Sequence, residues 1–298
     1  MPDNKKKMML IMNPVAGKGS AKKEITSILQ IFEEGGYIVT LFVTEKHNDA
    51  VDYIVQHGAG FDTIVCCGGD GTMSEAITGI IRAGLYTQLG YIPTGSMNDF
   101  ASYHEISNDM ERAARNIVKG DFRYVDVISF DHSHYSINAS EFGIFTWISY
   151  DTPQKSKNML GGLAYFLQGI KDLNKLKSLH MKVTANDHVY EGDFLFGILC
   201  NSTRIVGTLT KREKIIQADD GIMEVGLAKK PSSMFELQKL IQCILNGELT
   251  HKDLSFFKAK KMIVETADPL DWSMDGEHYI SPPYCEIECL HNRITLIC

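Results

Sequence analysis

The residues best suited to chemistry in the first half of the chain are the consecutive Gly68, Gly69, Asp70, Gly71 and Thr72. An apolar run typical of a buried strand leads directly into them, and a helical spacing of apolar residues follows. Glycines at a strand-to-helix turn let the backbone approach a ligand, and free N–H groups at a helix start attract an anion. A carboxylate there can hold Mg²⁺ against phosphate oxygens. An ordinary tight turn is the alternative, but this sequence in this setting predicts a nucleotide phosphate site.

Two more polar turns in the first half of the chain follow apolar runs of the same kind. Residues 13–20 come after the run 8–12, and residues 93–99 come after the run 89–92. The segment 17–20 has glycines beside a lysine but lacks the spacing of a Walker A loop, so we reject that motif. The repeated combination of a buried strand and a Gly-containing turn predicts that all three turns belong to one binding site.

Strand and helix patterns alternate from residue 8 to about residue 119, which is typical of a parallel sheet covered by helices. Ligands bind beyond the carboxyl ends of the strands in such sheets, where all three turns lie. From residue 125 onward, short alternating runs between turn residues predict an antiparallel β-sandwich. The predicted strands are 125–130, 135–139, 180–184, 189–200, 222–227 and 261–266, and helices are predicted at 160–176 and 233–245. We therefore predict an α/β nucleotide-binding domain over residues 1–124 and a β-sandwich domain over residues 125–298. We leave open that the last strand returns to the first domain.

The composition limits the classes of function. The 298 residues carry a net charge of −7, which argues against a general nucleic-acid-binding protein. Seven cysteines without a Cys-x-x-Cys pair favour buried, reduced thiols in the cytosol over disulfides or a zinc site. No apolar stretch is long enough for a signal peptide or a membrane span. We expect a cytoplasmic protein that, if it acts on lipids, visits the membrane surface from water.

Two acidic turns stand out in the second half of the chain. Asp275 and Glu277 flank Gly276, so both carboxylates could reach one cleft. The other acidic turn is the segment 219–221, which has the sequence Asp-Asp-Gly. Because Asp-Gly is common in hairpins, a plain surface turn is the alternative for both segments.

Taken together, the sequence resembles the diacylglycerol kinase catalytic-domain family, which includes bacterial soluble lipid kinases and eukaryotic sphingosine kinases. The resemblance extends over nearly the whole chain. It rests on five motifs, which are Asn13-Pro14 with Gly17, Gly68-Gly69-Asp70-Gly71-Thr72, Pro93-Thr94-Gly95-Ser96-Met97-Asn98-Asp99-Phe100, Asp219-Asp220-Gly221 and Asp275-Gly276-Glu277. The more distant NAD kinases share the second motif, but not all five in this order. The family usually has Asn where Ser74 stands and Thr where Ser96 stands, and both serines keep a hydrogen-bonding group.

The resemblance implies a nucleotide-binding α/β domain, a C-terminal β-sandwich and an active site in the cleft between them. It implies that ATP and Mg²⁺ are bound by residues of the first domain, which are Asn13, Pro14, Gly17, Thr44, Gly68, Gly69, Asp70, Gly71, Thr72, Ser74, Gly95, Ser96, Asn98 and Asp99. It also implies that either Asp275 or Glu277 is the general base. A structural Mg²⁺ would be held by Asp220 with the backbone carbonyls of Gln217 and Ile222.

A lysine-rich stretch, residues 155–182, combines six lysines and one acid with apolar residues. A basic amphipathic helix can lie on an anionic membrane surface, or it can pack its apolar side in the core. We predict a Mg²⁺-dependent lipid kinase that transfers the γ-phosphate of ATP to a primary hydroxyl, converting diacylglycerol to phosphatidic acid. Alternatives are another lipid acceptor (sphingoid base, monoacylglycerol or polyprenol), an NAD kinase, and a lipid-binding protein without catalysis. A homodimer is left open.

Overall fold

The computed structural model describes residues 5–19, 21–144, 146, 173, 176–201, 219–246 and 251–298. The chain forms two compact units, residues 1–127 with 291–298, and residues 128–290. The predicted helix at 160–176 and most of the lysine-rich stretch lie outside the described residues. Among the described residues, no helix is both long enough and apolar enough to cross a membrane.

The first unit is built on a parallel sheet. Its strands are β1 (Lys6–Met12), β2 (Tyr37–Val43), β3 (Thr63–Gly68) and β4 (Gln88–Pro93). The sheet order is β2-β1-β3-β4, and the end of the last strand, β15 (Tyr284–Ile297), lies parallel to β4. The helices are α1 (Ala21–Glu34), α2 (Asp49–His57), α3 (Asp70–Arg82), α4 (Asp99–Tyr103) and α5 (Met110–Lys119). Short 3-10 helices lie at Ala16–Gly19 and Gly58–Gly60.

The central strands of this sheet are apolar because they are buried on both faces. All six residues of β3 are buried, including Cys66 and Cys67. Burial raises the pKa of the Cys67 thiol to about 12, so this group is un-ionised at neutral pH. All seven cysteines are free; five are buried, whereas Cys243 and Cys298 are partly exposed.

The second unit is antiparallel. Strand β5 (Phe122–Phe130) begins in the first unit and ends in the second. The other strands of the second unit are β6 (His134–Ser136), β7 (Ala139–Gly143), β8 (Leu179–Ala185), β9 (His188–Cys200), β10 (Met223–Lys229), β11 (Leu254–Ala259), β12 (Lys261–Thr266), β13 (Leu270–Met274), β14 (Glu277–Ser281) and the first part of β15. The pairing order is β14-β13-β7-β9-β8-β12-β15, and β10 pairs with β9 and β11. A sixth described helix, α6 (Met234–Asn246), packs its apolar side against this sheet.

The predicted combination of a parallel N-terminal sheet with antiparallel C-terminal strands is confirmed. The elements differ from the prediction in detail. The segment 135–139, predicted as one strand, is divided between β6 and β7, because the chain bends at residues 137–138. Strands β11, β13 and β14 were not predicted, since each has only five or six residues and two of them flank a two-residue turn.

Candidate active site

Two of the predicted glycine turns meet at the ends of β3 and β4. These strands are parallel neighbours, and the Thr94 N–H donates to the Gly68 carbonyl at 2.8 Å. A Cβ atom added to Gly95 would lie 2.7 Å from the Cα of Gly69, closer than real Cβ contacts come. The two turns therefore need glycine where their backbones touch.

Buried polar atoms without partners lie beside these turns. Within the described part of the chain, Thr94 Oγ1 and Asn98 Oδ1 are buried and accept or donate no hydrogen bond. Asn98 has a left-handed backbone (φ 51°) and begins α4. Because buried polar atoms normally have a partner, a polar group of a ligand at the turns would complete them.

The Asp70 carboxylate has a structural contact that the sequence did not reveal. Oδ2 accepts the N–H of Asp99 and Oδ1 accepts the N–H of Phe100, both at 3.1 Å, so Asp70 caps the start of α4. Burial raises the pKa of Asp70, and these backbone N–H groups oppose the rise. Each carboxylate oxygen keeps a second lone pair, so the set still suits Mg²⁺ together with the exposed carboxylate of Asp99.

The turns after β1 and β2 lie next to the start of α3. The Asn13 side-chain amide donates to Thr72 Oγ1 at 3.1 Å, and Asn13 Oδ1 accepts the Val15 N–H. The Thr44 N–H donates to the Met12 carbonyl at 3.0 Å. These turns enclose a cleft of about 550 Å³. The predicted residues that line it are Asn13, Pro14, Thr44, Gly69, Gly71 and Thr72.

The other predicted nucleotide-binding residues do not line this cleft among the described residues. They are Gly17, Gly68, Asp70, Ser74, Gly95, Ser96, Asn98 and Asp99. Gly68, Asp70 and Gly95 instead support the walls through the contacts described above. Ser96 is exposed in the loop after β4, and Ser74 is half-buried in α3.

Six lining residues were missed, namely Val15, Val43, Glu45, Lys46, His47 and Glu75. Glu75 fixes the loop between β2 and α2, because its carboxylate accepts the N–H groups of Asn48 at 3.0 Å and Ala50 at 3.3 Å. Its Oε1 is also 3.0 Å from His47 Nδ1. The sequence pattern could have indicated Glu45, Lys46 and His47 as lining residues, since they follow the carboxyl end of the parallel strand β2.

In the second unit, Asp275 and Gly276 form the two-residue turn between β13 and β14. Both have a left-handed backbone, with φ 50° and 89°, as the primed hairpin turns require. The expected hairpin is therefore present. The Asp275 side chain nevertheless has a further role, because it is bound by the turn between β6 and β7.

Four donors converge on the Asp275 carboxylate. Oδ1 accepts from Ser136 Oγ at 3.1 Å, Asn138 N at 2.8 Å and Ala139 N at 3.0 Å, and Oδ2 accepts from Ile137 N at 2.8 Å. Burial raises the pKa of Asp275, although these hydrogen bonds oppose the rise. The carboxylate is thus held in one orientation with one lone pair of Oδ2 uncommitted among these contacts.

Two other carboxylates lie close to the Asp275 turn. Glu277 is close to it in sequence, and Glu141 lies on β7, the strand that pairs with β13. Glu277 begins β14 and its side chain is exposed. Glu141 on β7 is opposite Ser273 on β13, and burial raises its pKa to about 7. Sequence reasoning missed Glu141, because a single acid in a short strand carries no signal of burial.

The predicted metal ligand Asp220 has two described partners. Its Oδ1 accepts the Ile222 N–H at 3.0 Å, and its Oδ2 is 3.6 Å from Lys258 Nζ. The same ammonium group lies 2.9 Å from Oε1 of the fully buried Glu224. Gln217 lies outside the described residues. Asp220 and Glu224 thus share one cation, which in this structure is the ammonium group of Lys258.

Residues 7–130 match the family model of the diacylglycerol kinase catalytic domain. A diacylglycerol kinase of Staphylococcus aureus (strain bovine RF122 / ET3-1) is 30% identical over 279 residues, which cover 92% of this chain and 87% of the relative. The chain belongs to the diacylglycerol kinase family.

Other relatives agree with this membership. A diacylglycerol kinase of Staphylococcus saprophyticus is 29% identical, with 92% of this chain and 90% of the relative covered. A crystal structure of a candidate diacylglycerol kinase from Bacillus anthracis str. Sterne is 26% identical, with a TM-score of 0.79 over 98% of this chain and 95% of that one. The predicted family and the prediction of a lipid kinase are confirmed.

Proposed function

We propose that this lipid kinase transfers the γ-phosphate of ATP to the primary hydroxyl of diacylglycerol, forming phosphatidic acid. The observation that carries the proposal is the cleft at the carboxyl ends of β1, β2 and β3, whose lining includes Asn13, Gly69, Gly71 and Thr72. Backbone N–H groups in a glycine turn and at the start of α3 are suited to phosphate oxygens. The relatives named above are diacylglycerol kinases, which supports this acceptor over other lipids.

In this proposal, Asp70 and Asp99 hold Mg²⁺, which neutralises charge on the transferring phosphoryl group when bound. The chain itself contributes the position of both groups. Asp70 is fixed by its hydrogen bonds to the start of α4, and Asp99 is the first residue of that helix. A cation bound here would be oriented by a rigid turn instead of by mobile side chains.

We assign the proton-accepting role to Asp275 and a supporting role to Glu277. A general base is most effective when its pKa is close to the working pH and when it is held in place. Burial raises the pKa of Asp275, and four hydrogen bonds fix its orientation. Glu277 is exposed and lacks a comparable set of described contacts. The proposal thus favours Asp275 where the sequence left the choice between the two carboxylates open.

The remaining parts of the proposal concern partners and the second metal. Asp220, with the carbonyls of Gln217 and Ile222, is proposed to hold a structural Mg²⁺, which requires Lys258 to turn away from Asp220 Oδ2. Contact with an anionic membrane surface by the stretch 155–182 and a homodimer stay predictions. Of that stretch, Lys182 is described and pairs with Glu265 at 2.7 Å.

The test is phosphate transfer from labelled ATP to a panel of lipid alcohols in mixed micelles. We expect labelled phosphatidic acid from diacylglycerol, dependent on Mg²⁺, and less product from monoacylglycerol, sphingoid base or polyprenol. Preferred labelling of one of those lipids would replace the acceptor. Labelling of NAD but of no lipid, or no transfer by a folded protein that binds ATP, would refute the proposal.

A further inference from the structure

Three side chains of the second unit converge at the start of α6, apart from every motif discussed above. Glu236 lies in the first turn of this helix, and His251 and Asp253 lie immediately before β11. One ligand atom from each of the three lies within 4.8 Å of the others. One imidazole and two carboxylates are thus brought together by a helix start and a turn.

The centre of this cluster is buried and incompletely hydrogen-bonded. The His251 side chain is 6% exposed. Among the described residues, His251 Nε2 and Asp253 Oδ2 are buried without a hydrogen-bond partner. Nε2 is 3.7 Å from Glu236 Oε2 and Nδ1 is 3.8 Å from Asp253 Oδ2, which is too long for hydrogen bonds.

The 3.7 Å between His251 Nε2 and Glu236 Oε2 suits two ligands that share one ion, whereas the 3.8 Å to Asp253 Oδ2 is measured from the other ring nitrogen. The Asp253 carboxylate joins them as the third residue of the cluster, whose ligand atoms all lie within 4.8 Å of one another. Zn–N and Zn–O bonds are about 2.0–2.2 Å long, so two ligands of one Zn²⁺ lie roughly 3–4 Å apart. An imidazole nitrogen with carboxylate oxygens suits Zn²⁺ and similar transition-metal ions, whereas Mg²⁺ prefers oxygen ligands alone. We propose that Glu236, His251 and Asp253 form a site for a divalent transition-metal cation such as Zn²⁺.

Two lysines compete with such a cation. Lys252 Nζ is 3.3 Å from Glu236 Oε2, and Lys239 Nζ is 3.5 Å from Glu236 Oε1. Both lysine side chains are at least half exposed, so their ammonium groups can turn into solvent when the cation binds. Because like charges repel, the Lys252 ammonium weakens cation binding, and its removal should strengthen it.

The hydrogen on the His251 ring also responds to the cation. The Asp253 N–H donates to Nδ1 at 3.2 Å, so the neutral ring carries its own hydrogen on Nε2. Coordination through Nε2 moves that hydrogen to Nδ1 and lengthens the contact with the Asp253 N–H. The tautomer of His251 therefore reports whether the ring is a ligand.

The test is a titration of chelator-treated full-length protein with Zn²⁺ and separately with Mg²⁺, followed by calorimetry and thermal unfolding. We expect saturable binding of Zn²⁺ with a rise in Tm, since a ligand of the folded state stabilises it. Glu236→Gln, His251→Gln and Asp253→Asn should each weaken Zn²⁺ binding about tenfold or more, as losses around metal sites typically do. Lys252→Met should tighten it. The control is His188→Gln, which removes an exposed histidine and should change nothing.

Nitrogen NMR of the histidine rings gives a second readout that does not depend on activity. We expect Zn²⁺ to convert His251 from the Nε2–H to the Nδ1–H tautomer. Equal Zn²⁺ affinity in wild type and the three ligand variants, weaker binding by Lys252→Met, or a rise in Tm with Mg²⁺ that the three ligand variants lose would each overturn the proposal. Mg²⁺ bound at Asp220 would raise the Tm of those variants as well, so the two sites are distinguished. If His251→Gln does not fold, Glu236→Gln decides the outcome, because Glu236 is 18% exposed at a helix start.

Discussion

Replacing Asp275 by Asn separates its proposed role as proton acceptor from its observed contacts with the turn between β6 and β7. The amide keeps one oxygen, which can take the place of Oδ1 and accept the three donors there. Its NH₂ group then replaces Oδ2 and faces the Ile137 N–H at 2.8 Å, so two donors oppose each other. The variant therefore loses one hydrogen bond completely and the charge that strengthens the other three.

The magnitude follows from these contacts. A hydrogen bond to a charged group contributes about 1.5–3 kcal/mol, and neutral bonds are roughly half as strong as charged ones. Relief from burying the charge offsets part of this loss, since burial already raises the pKa of Asp275. We expect the turn to be destabilised by about 2–4 kcal/mol, which corresponds to a roughly 30- to 1000-fold loss of protection of its amides.

The assay is hydrogen exchange at Ile137, Asn138 and Ala139, together with turnover of lipid as a function of pH. Proton acceptance by a general base contributes roughly 10²–10⁴-fold to rate, so turnover of Asp275→Asn should fall by that factor while ATP affinity is kept. Ser136→Ala is the matched variant, because it removes one donor and leaves the carboxylate. It should loosen the turn and keep the acidic limb of the pH profile, shifted to higher pH because one hydrogen bond that holds down the pKa of Asp275 is lost.

Two results would refute this reasoning. Unchanged exchange at residues 137–139 in Asp275→Asn would show that the carboxylate does not hold the turn. Turnover of Asp275→Asn at the wild-type rate, with a loss of the acidic limb in Glu277→Gln instead, would assign the base to Glu277. Wild-type turnover in both variants would leave the segment as a hairpin turn alone.

Four further predictions concern the remaining sites. Asp70→Ala should abolish Mg²⁺- and ATP-dependent turnover in a folded protein, and a folded variant with wild-type turnover would exclude Asp70 from the phosphate site. Gly95→Ala forces a Cβ against the neighbouring turn and should cost about 1–3 kcal/mol of stability and weaken ATP binding. Gly60→Ala, whose Cβ meets nothing within 4 Å, should do neither. Equal melting temperatures and ATP affinities for the two variants would contradict the close approach. Burial raises the pKa of Glu141 from 4.5 to about 7. Between these two pH values the folded state keeps a proton on Glu141 that the unfolded state has released. The free energy of unfolding should therefore fall as pH rises from 4.5 through 7. Glu141→Gln removes this dependence and should gain up to about 3 kcal/mol on wild type between pH 5 and pH 8 in urea unfolding; parallel curves for the two proteins would be the contrary result. Asp220→Ala should remove the rise in Tm that Mg²⁺ gives the wild type, and a Mg²⁺ response retained in the variant would argue for the hairpin turn without a metal.

Local patterns in the sequence predicted the class of fold and the three Gly-containing turns at the ends of parallel strands. A strand buried on both faces needs a continuous apolar run, and a turn that touches its neighbour needs glycine, so residues 63–72 carry both signals by themselves. The same reasoning put Asn13 and Thr72 at one edge of the sheet, because the ends of parallel strands lie there, whereas Thr44 was implied by the family resemblance; all three line the cleft. These inferences depend on neighbours within a few residues, which a sequence shows directly.

Only the tertiary structure showed which partners these side chains meet across long separations. The donors that hold Asp275 lie about 137 residues before it, and Glu75 fixes a loop at residues 48–50 that precedes it by 25 to 27 residues. A carboxylate at the surface and a carboxylate held by four donors have the same letter in a sequence. Their pKa, orientation and chemical role are set by burial and by hydrogen bonds, and those are decided when distant strands pair.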